Sequence, residues 1–258
     1  MNDELPIFFV HVAKTGGLSL LSVLRGHFAA SETCTHTPSN GLWQGWRLPD
    51  MPAYKLYAGH FTYDFFGGHR GTKLIMMREP VARVVSLYDF YRSHRTQYLA
   101  TVKPPLAGPT IAKAGNLTHF LNSKDPGVIE QSSNLVARQL LGHIYETLMP
   151  DEDAVLAQAI RHLKGFSWIG ITEIFRPSIE LLCRTLSWAV PETIPRENST
   201  YDKTPDNPHV EPVEMTVPNE EEYRRIVERN RVDLALFKDS RALLEKQMGG
   251  LNPITSSP

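Results

Sequence analysis

The sequence predicts an α/β fold of three layers, in which a central parallel sheet is flanked by helices. Four short apolar runs, at 5–12, 55–58, 72–77 and 167–172, are typical of strands that are buried on both faces. Segments with helical spacing of apolar residues lie between and after these runs. Because strands that alternate with helices favour a parallel sheet, ligands are expected at the carboxyl ends of the strands.

The first unit is a strand, a glycine-rich turn and a helix. The run 5–12 is the strand, 13–17 is the turn, and 18–29 places its apolar residues along one helical face. The next segment, 31–53, is rich in turn formers and is predicted to be irregular. A short strand at 55–58 then ends at Gly59-His60.

The second unit is a strand at 72–77 followed by a helix that begins at Pro80, where the missing N–H costs nothing. The proline-rich stretch 94–113 is predicted to be a mobile loop, and 191–218 is predicted to be irregular. Further helices are expected at 117–121, 128–141, 151–163, 177–190 and from the Asn219 cap to about residue 247.

The composition favours one domain that binds anions only through a local site. With 258 residues and 41% apolar residues, one sizeable core is expected, as a single domain over 1–248 with a disordered tail at 249–258. The net charge of −1 gives no global attraction to nucleic acid. The two cysteines, Cys34 and Cys183, suggest neither a disulfide framework nor a metal site.

The N-terminal apolar run is too short for a signal peptide or a membrane span. We therefore expect a cytoplasmic protein without a transmembrane segment, although a trimmed lumenal domain would have a similar sequence. The oligomeric state stays open.

The turn at 13–19 has the chemistry of a phosphate-binding loop. A glycine-rich turn that enters a helix directs several backbone N–H groups to one point, and the helix dipole adds positive charge there. The lysine precedes the glycines, so the segment is not a Walker A motif. An ordinary turn with an exposed lysine is the alternative. The candidate anion-binding residues are Lys14, Thr15, Gly16, Gly17, Leu18 and Ser19.

A second candidate anion site follows the strand at 72–77. Arg78 ends this strand, and Ser86 lies two turns into the next helix, with Arg83 between them. A guanidinium can hold a phosphate through two hydrogen bonds, and a serine hydroxyl can add another. Arg78 could instead pair with Glu79.

Together these two motifs resemble those of sulfotransferases that use 3′-phosphoadenosine-5′-phosphosulfate (PAPS), a family with a P-loop-like fold. The first is similar to the 5′-phosphosulfate loop, and the second to the 3′-phosphate motif. The closest likeness is to Golgi-type carbohydrate sulfotransferases, including the uronyl 2-O-sulfotransferases, and their bacterial relatives. Their loop commonly has proline and threonine where this chain has Ala13 and Leu18. The resemblance implies that Arg78 and Ser86 bind the 3′-phosphate.

His60 is the candidate base. Sulfuryl transfer needs a group that takes the acceptor proton and a positive charge on the leaving oxygen, and Lys14 suits the second role. The segment 58–65 resembles the Gly-His segment of the uronyl 2-O-sulfotransferases, in which a histidine is the base. A hydrogen-bonded turn residue is the structural alternative for His60.

Two further segments extend the resemblance. The segment 131–142 is similar to a family segment that implies a place for Asn134 and Arg138 near the nucleotide or the acceptor. The segment 197–203 resembles a loop that closes over the nucleotide, with Lys203 directed to a phosphate. Solvated positions on a helix or loop are the alternatives.

The expected reaction is metal-free transfer of a sulfuryl group from PAPS to a hydroxyl, with release of the desulfo product PAP. The resemblance favours a carbohydrate acceptor, while small molecules and lipids stay open. A nucleotide kinase or NTPase is the alternative enzyme, and a PAP-binding module without catalysis is the alternative outside enzymes.

Overall fold

The computed structural model describes residues 6–34, 53–194 and 208–249. Within these ranges, five strands form one all-parallel sheet in the order β2-β3-β1-β4-β5. The predicted α/β fold with a central parallel sheet is therefore confirmed. The strands are β1 (Ile7–Val10), β2 (Thr33–Cys34), β3 (Leu56–Gly59), β4 (Thr72–Met77) and β5 (Trp168–Ile171).

Helices cover both faces of the sheet, as the buried strands require. In chain order they are α1 (Gly17–Arg25), α2 (Tyr63–Phe66), α3 (Pro80–Arg92), α4 (Thr96–Thr101), α5 (Ala107–Ala114), α6 (Leu117–Leu121), α7 (Pro126–Ser132), α8 (Leu135–Leu141), α9 (Tyr145–Leu148), α10 (Glu152–Leu163), α11 (Phe175–Thr185), α12 (Glu220–Arg229) and α13 (Arg231–Gly249).

The apolar runs of the sequence are continuous because each strand is buried on both sides. In β1, Phe8 and Val10 pack with α8, α10 and α13, whereas Ile7 and Phe9 pack with α1 and α11. Phe8 and Phe9 have no exposed surface. Burial of each such side chain stabilises the fold by roughly 1.5–3 kcal/mol, so β1 is a central element of the core.

The prediction of a loop at 94–113 was wrong, because most of this stretch forms α4 and α5. Pro109 is the third residue of α5, where a missing N–H leaves no intrahelical bond unmade. Ala112 is buried against α3 and α6 in a third apolar cluster. Packing of one apolar face thus outweighs the helix-breaking tendency of the prolines.

The predicted helix at 128–141 is two helices, α7 and α8. Asn134 separates them with a left-handed backbone, at φ 43°. Its N–H donates to Asn230 Oδ1 at 2.9 Å, so the break is fixed by contact with the C-terminal part of the chain. The Asn219 cap is present as predicted, since its Oδ1 accepts the Glu222 N–H at 2.9 Å.

Several predictions concern parts of the chain that the structure does not describe. These parts are residues 35–52, residues 195–207, which include Lys203, and the tail beyond Gly249. In the described ranges, no helix has both the length and the apolar character needed to cross a membrane.

Candidate functional site

The site lies at the carboxyl end of β1, where the chain connections on its two sides diverge. β3 and β4 flank β1, with Val10 level with Gly59 on one side and with Ile75 on the other. Crevices at such switch points are the usual ligand sites of parallel α/β sheets. His60 therefore emerges beside the loop after β1, and Arg78 emerges just beyond β4.

The loop after β1 has a tight backbone that only certain residues permit. Lys14 and Gly16 both have left-handed conformations, at φ 68° and φ 75°. A Cβ atom on Gly17 would lie 2.1 Å from Cδ2 of His11, so this position has no room for a side chain. The buried Thr15 hydroxyl donates to the Val12 carbonyl oxygen at 2.9 Å, which closes the turn from inside.

Helix α1 begins directly from this turn without a side-chain cap. Gly16 occupies the N-cap and offers no acceptor for the first N–H groups of the helix. Such groups, with the helix dipole behind them, favour an anion. Ser19 is buried in the first turn of α1, and Leu18 is 38% exposed.

Arg78 joins the two predicted anion motifs. Its Nη1 donates to the Lys14 carbonyl oxygen at 3.2 Å, although 64 residues separate the two positions in sequence. Thr172 strengthens this junction, since its hydroxyl lies 2.7 Å from the Thr15 carbonyl oxygen and 2.9 Å from that of Met77. The two motifs are therefore in direct contact.

Positive charge accumulates at this junction. Burial, followed by the charge of Arg78, lowers the pKa of Lys14 to about 8, and Asp89 opposes the shift. The Lys14 ammonium also lies over the Phe90 ring, 4.2 Å from its centroid. Because burial disfavours the charged form of Lys14, an anion bound beside it would stabilise the ammonium form.

His60 is held in one tautomer. Its Nδ1 lies 2.6 Å from the His11 carbonyl oxygen, and because a carbonyl can only accept, Nδ1 carries the proton. Nε2 is then the basic nitrogen. Burial lowers the pKa of His60, so the ring is neutral at pH 7 and Nε2 can take a proton. The His11 ring stacks on it with centroids 4.4 Å apart.

A cavity of about 780 Å³ opens beside these groups, and both Lys14 and His60 line it. Gln139 lines it as well, with its Nε2 3.4 Å from the His11 carbonyl oxygen. The carbonyl that fixes His60 thus also holds Gln139. This arrangement places His60 and Gln139 next to each other on the lining.

The structure does not bring every predicted residue to this cavity. Ser86 is 4% exposed on α3, and Arg83 is buried with its Nη1 donating to the Gln131 carbonyl oxygen at 2.9 Å. Of the predicted site residues that the structure describes, Lys14 and His60 line the cavity, whereas residues 15–19, Arg78, Ser86, Asn134 and Arg138 do not. Asn134 accepts the N–H of Asp233 on α13, and Arg138 donates to Ser133 and Glu146.

Sequence reasoning missed Thr172, Glu173 and Gln139. Glu173 Oε1 accepts the Glu79 N–H at 3.0 Å, and Glu79 itself caps α3 by accepting the Ala82 N–H. The signal for the first two was present, because Thr172 ends the predicted strand at 167–172 and Glu173 directly follows it. The carboxyl end of a parallel strand places such residues at the ligand edge.

Comparison with known proteins does not assign this site to a family. No protein-family model and no curated protein sequence matches the chain. Among the described residues, no group of three or more His, Cys, Asp or Glu side chains is arranged to hold a metal ion.

Proposed function

We propose that this protein transfers a sulfuryl group from PAPS to a hydroxyl acceptor. The observation that carries the proposal is the hydrogen bond from Arg78 Nη1 to the Lys14 carbonyl oxygen. It joins the two anion-binding motifs that the sequence suggests for the two ends of one nucleotide. A nucleotide with phosphates at both its 3′ and 5′ positions suits such a paired site.

The residues present fit this donor. The uncapped start of α1 and the Lys14 ammonium would hold the 5′-phosphosulfate, while Arg78 would hold the 3′-phosphate. Ser86, which the resemblance also implies for the 3′-phosphate, is buried on α3. When bound, the donor supplies the sulfuryl group and a phosphate leaving group. Lys14 then stabilises the negative charge that develops on the leaving oxygen.

His60 supplies the acid–base chemistry. Its Nε2 accepts the proton of the acceptor hydroxyl as the oxygen attacks sulfur, while Nδ1–H stays bonded to the His11 carbonyl oxygen. The new bond joins sulfur to the acceptor oxygen. The bond from sulfur to the phosphate oxygen breaks, and its electron pair stays on that oxygen.

The test is transfer of ³⁵S from labelled PAPS to a mixed panel of alcohols and glycans. Lys14→Ala should lower kcat about 10²–10³-fold, as loss of a charge that acts in the transition state does. Arg78→Ala should weaken PAP binding by at least about 10-fold, as loss of a charge-assisted hydrogen bond does. Lys238→Ala and Arg184→Ala, at exposed positions, are matched controls that should retain both properties.

His60→Gln separates base catalysis from binding. We expect kcat to fall about 10²–10⁴-fold while the Kd for PAP stays unchanged. Full transfer rates in Lys14→Ala or Arg78→Ala would contradict the assignment. PAP binding without transfer to any acceptor would favour a binding module, and EDTA-sensitive turnover of ATP would favour a kinase or NTPase.

A further inference from the structure

We propose that the acceptor is an apolar alcohol, either aryl or alkyl, and not a sugar. This inference rests on the proposed sulfuryl transfer and concerns the occupant of the 780 Å³ cavity. It departs from the carbohydrate acceptor that the family resemblance favours. The polar atoms and the charges of the lining residues favour this class of acceptor.

One wall of the cavity is an apolar face of α3. Leu87, Phe90 and Tyr91 line it, and Leu87 is 2% exposed. Burial raises the pKa of the Tyr91 hydroxyl to about 12, so this side chain is neutral throughout the useful pH range. Aromatic and aliphatic groups of this kind gain free energy when they bury another apolar surface.

The segment 102–109 forms another part of the lining, and Lys103 is the residue in it whose side chain donates hydrogen bonds. Pro104, Pro105 and Pro109 have no N–H, and Val102 and Leu106 contribute only aliphatic side chains. A sugar buried against this wall would leave hydroxyl groups without partners. Each unpaired polar group disfavours binding, whereas an apolar body incurs no such loss.

Three polar side chains of the lining are grouped at the end of the cavity where the reaction would occur. Lys14, His60 and Gln139 are together there, because His60 and Gln139 both bond to the His11 carbonyl oxygen. Gln139 is fully buried, and its Oε1 has no hydrogen-bond partner within the described part of the chain. It is therefore placed to accept a hydrogen bond from one hydroxyl of the acceptor.

The charges on the lining also disfavour an anionic glycan. Lys14 and Lys103 are balanced by Asp125 and Glu130, so the formal charge of the lining is close to zero when the histidines are neutral. Elsewhere on the walls, the His94 Nδ1 donates to the Phe90 carbonyl oxygen at 3.0 Å. A polyanion would need a positively charged cleft, and this cavity does not provide one.

The volume of the cavity, about 780 Å³, suits one small molecule. Sites for drug-sized ligands occupy about 300–1,000 Å³ and are mostly apolar with a few placed polar groups. A single hydroxyl at the His60 end with an apolar body along α3 satisfies both features. The geometry thus predicts that affinity increases with the apolar length of the acceptor.

The first experiment measures ³⁵S transfer from PAPS to 1-butanol, 1-hexanol, 1-octanol and 1-naphthol, beside methyl β-D-glucopyranoside and desulfated heparin. Each additional buried CH₂ should raise kcat/KM about threefold, so 1-octanol should exceed 1-butanol by at least about 10-fold. The two carbohydrates should be the poorest acceptors. A preference for either carbohydrate, or no dependence on chain length, would overturn the inference.

The second experiment places a charge on the cavity wall without disturbing the fold. Leu106 is the N-cap of α5, a position that favours aspartate, so Leu106→Asp should fold normally. We expect KM for 1-octanol to rise at least about 10-fold while the Kd for PAP stays unchanged. Leu243→Asp, at a 48% exposed position on α13, is the matched control and should behave as the wild type.

The two proposals fail in different ways. If the wild-type protein does not bind PAP, both the proposed function and the acceptor assignment are wrong. PAP binding combined with transfer to carbohydrates alone would overturn only the acceptor assignment. Binding of 1-naphthol, measured by its fluorescence, gives an independent check, because Leu106→Asp should weaken it whether or not PAPS is present.

Discussion

Binding of PAP should cause the protein to take up protons at alkaline pH. Burial and the neighbouring Arg78 charge lower the pKa of Lys14 to about 8. Lys14 is therefore about half deprotonated at pH 8 and only about one-tenth deprotonated at pH 7. A bound phosphate raises this pKa again, because an opposite charge favours the ammonium form. We expect uptake of about 0.5 proton at pH 8 and about 0.1 proton at pH 7.

Calorimetry in buffers with different ionisation enthalpies measures this uptake directly. Lys14→Arg is the matched variant, since it keeps the positive charge but does not titrate in this range. Its uptake at pH 8 should be close to zero. Equal uptake in the wild type and in Lys14→Arg would refute the proposal that Lys14 is the titrating group beside the bound anion.

Three further predictions concern the elements that support the site. Gly17→Ala forces a methyl group into the His11 ring and should lower the free energy of unfolding by about 1–3 kcal/mol, whereas Gly68→Ala, with open space around it, should have little effect in the same urea titration. The Thr216 N–H donates to Asp89 Oδ2 at 3.0 Å, and Asp89→Asn weakens this acceptor. Amide hydrogen exchange at Thr216 should therefore become faster, and an unchanged exchange rate would contradict this contact. Burial lowers the pKa of His11, so below about pH 6.5 the unfolded chain binds more protons than the folded protein. Through His11, the free energy of unfolding should fall by up to about 1.4 kcal/mol between pH 7.5 and pH 5.5. A free energy of unfolding that does not change over this pH range would contradict the prediction.

The sequence was sufficient to predict the strands β1, β3, β4 and β5, because they depend on local signals. The prediction that 31–53 is irregular was wrong at β2, a two-residue strand that exists through its pairing with β3. Runs such as 72–77 are apolar on both faces, and β4 has those bounds. Lys14 and Arg78 follow their strands directly, so the parallel sheet alone brings them to one edge. At these positions, the apolar pattern of the strands and the parallel topology of the sheet were sufficient for the prediction.

The remaining features depend on contacts between distant segments, which no local pattern records. The two helices within 94–113 are stabilised by packing on α3, and the break at Asn134 is fixed by Asn230. Gln139 lies in the segment 131–142 that the resemblance places near the nucleotide or the acceptor, but no local signal singles out this residue. Its place in the cavity follows from the way α8 packs near the end of β1.

The tautomer of His60 is determined by a main-chain atom, the carbonyl oxygen of residue 11. In many enzymes a carboxylate performs this task, and a single substitution removes it. Here the partner belongs to the backbone that leaves the central strand, and every residue type carries the same oxygen. The orientation of the His60 ring is therefore set by the backbone that follows β1, and substitution of the surrounding side chains would leave this hydrogen bond in place.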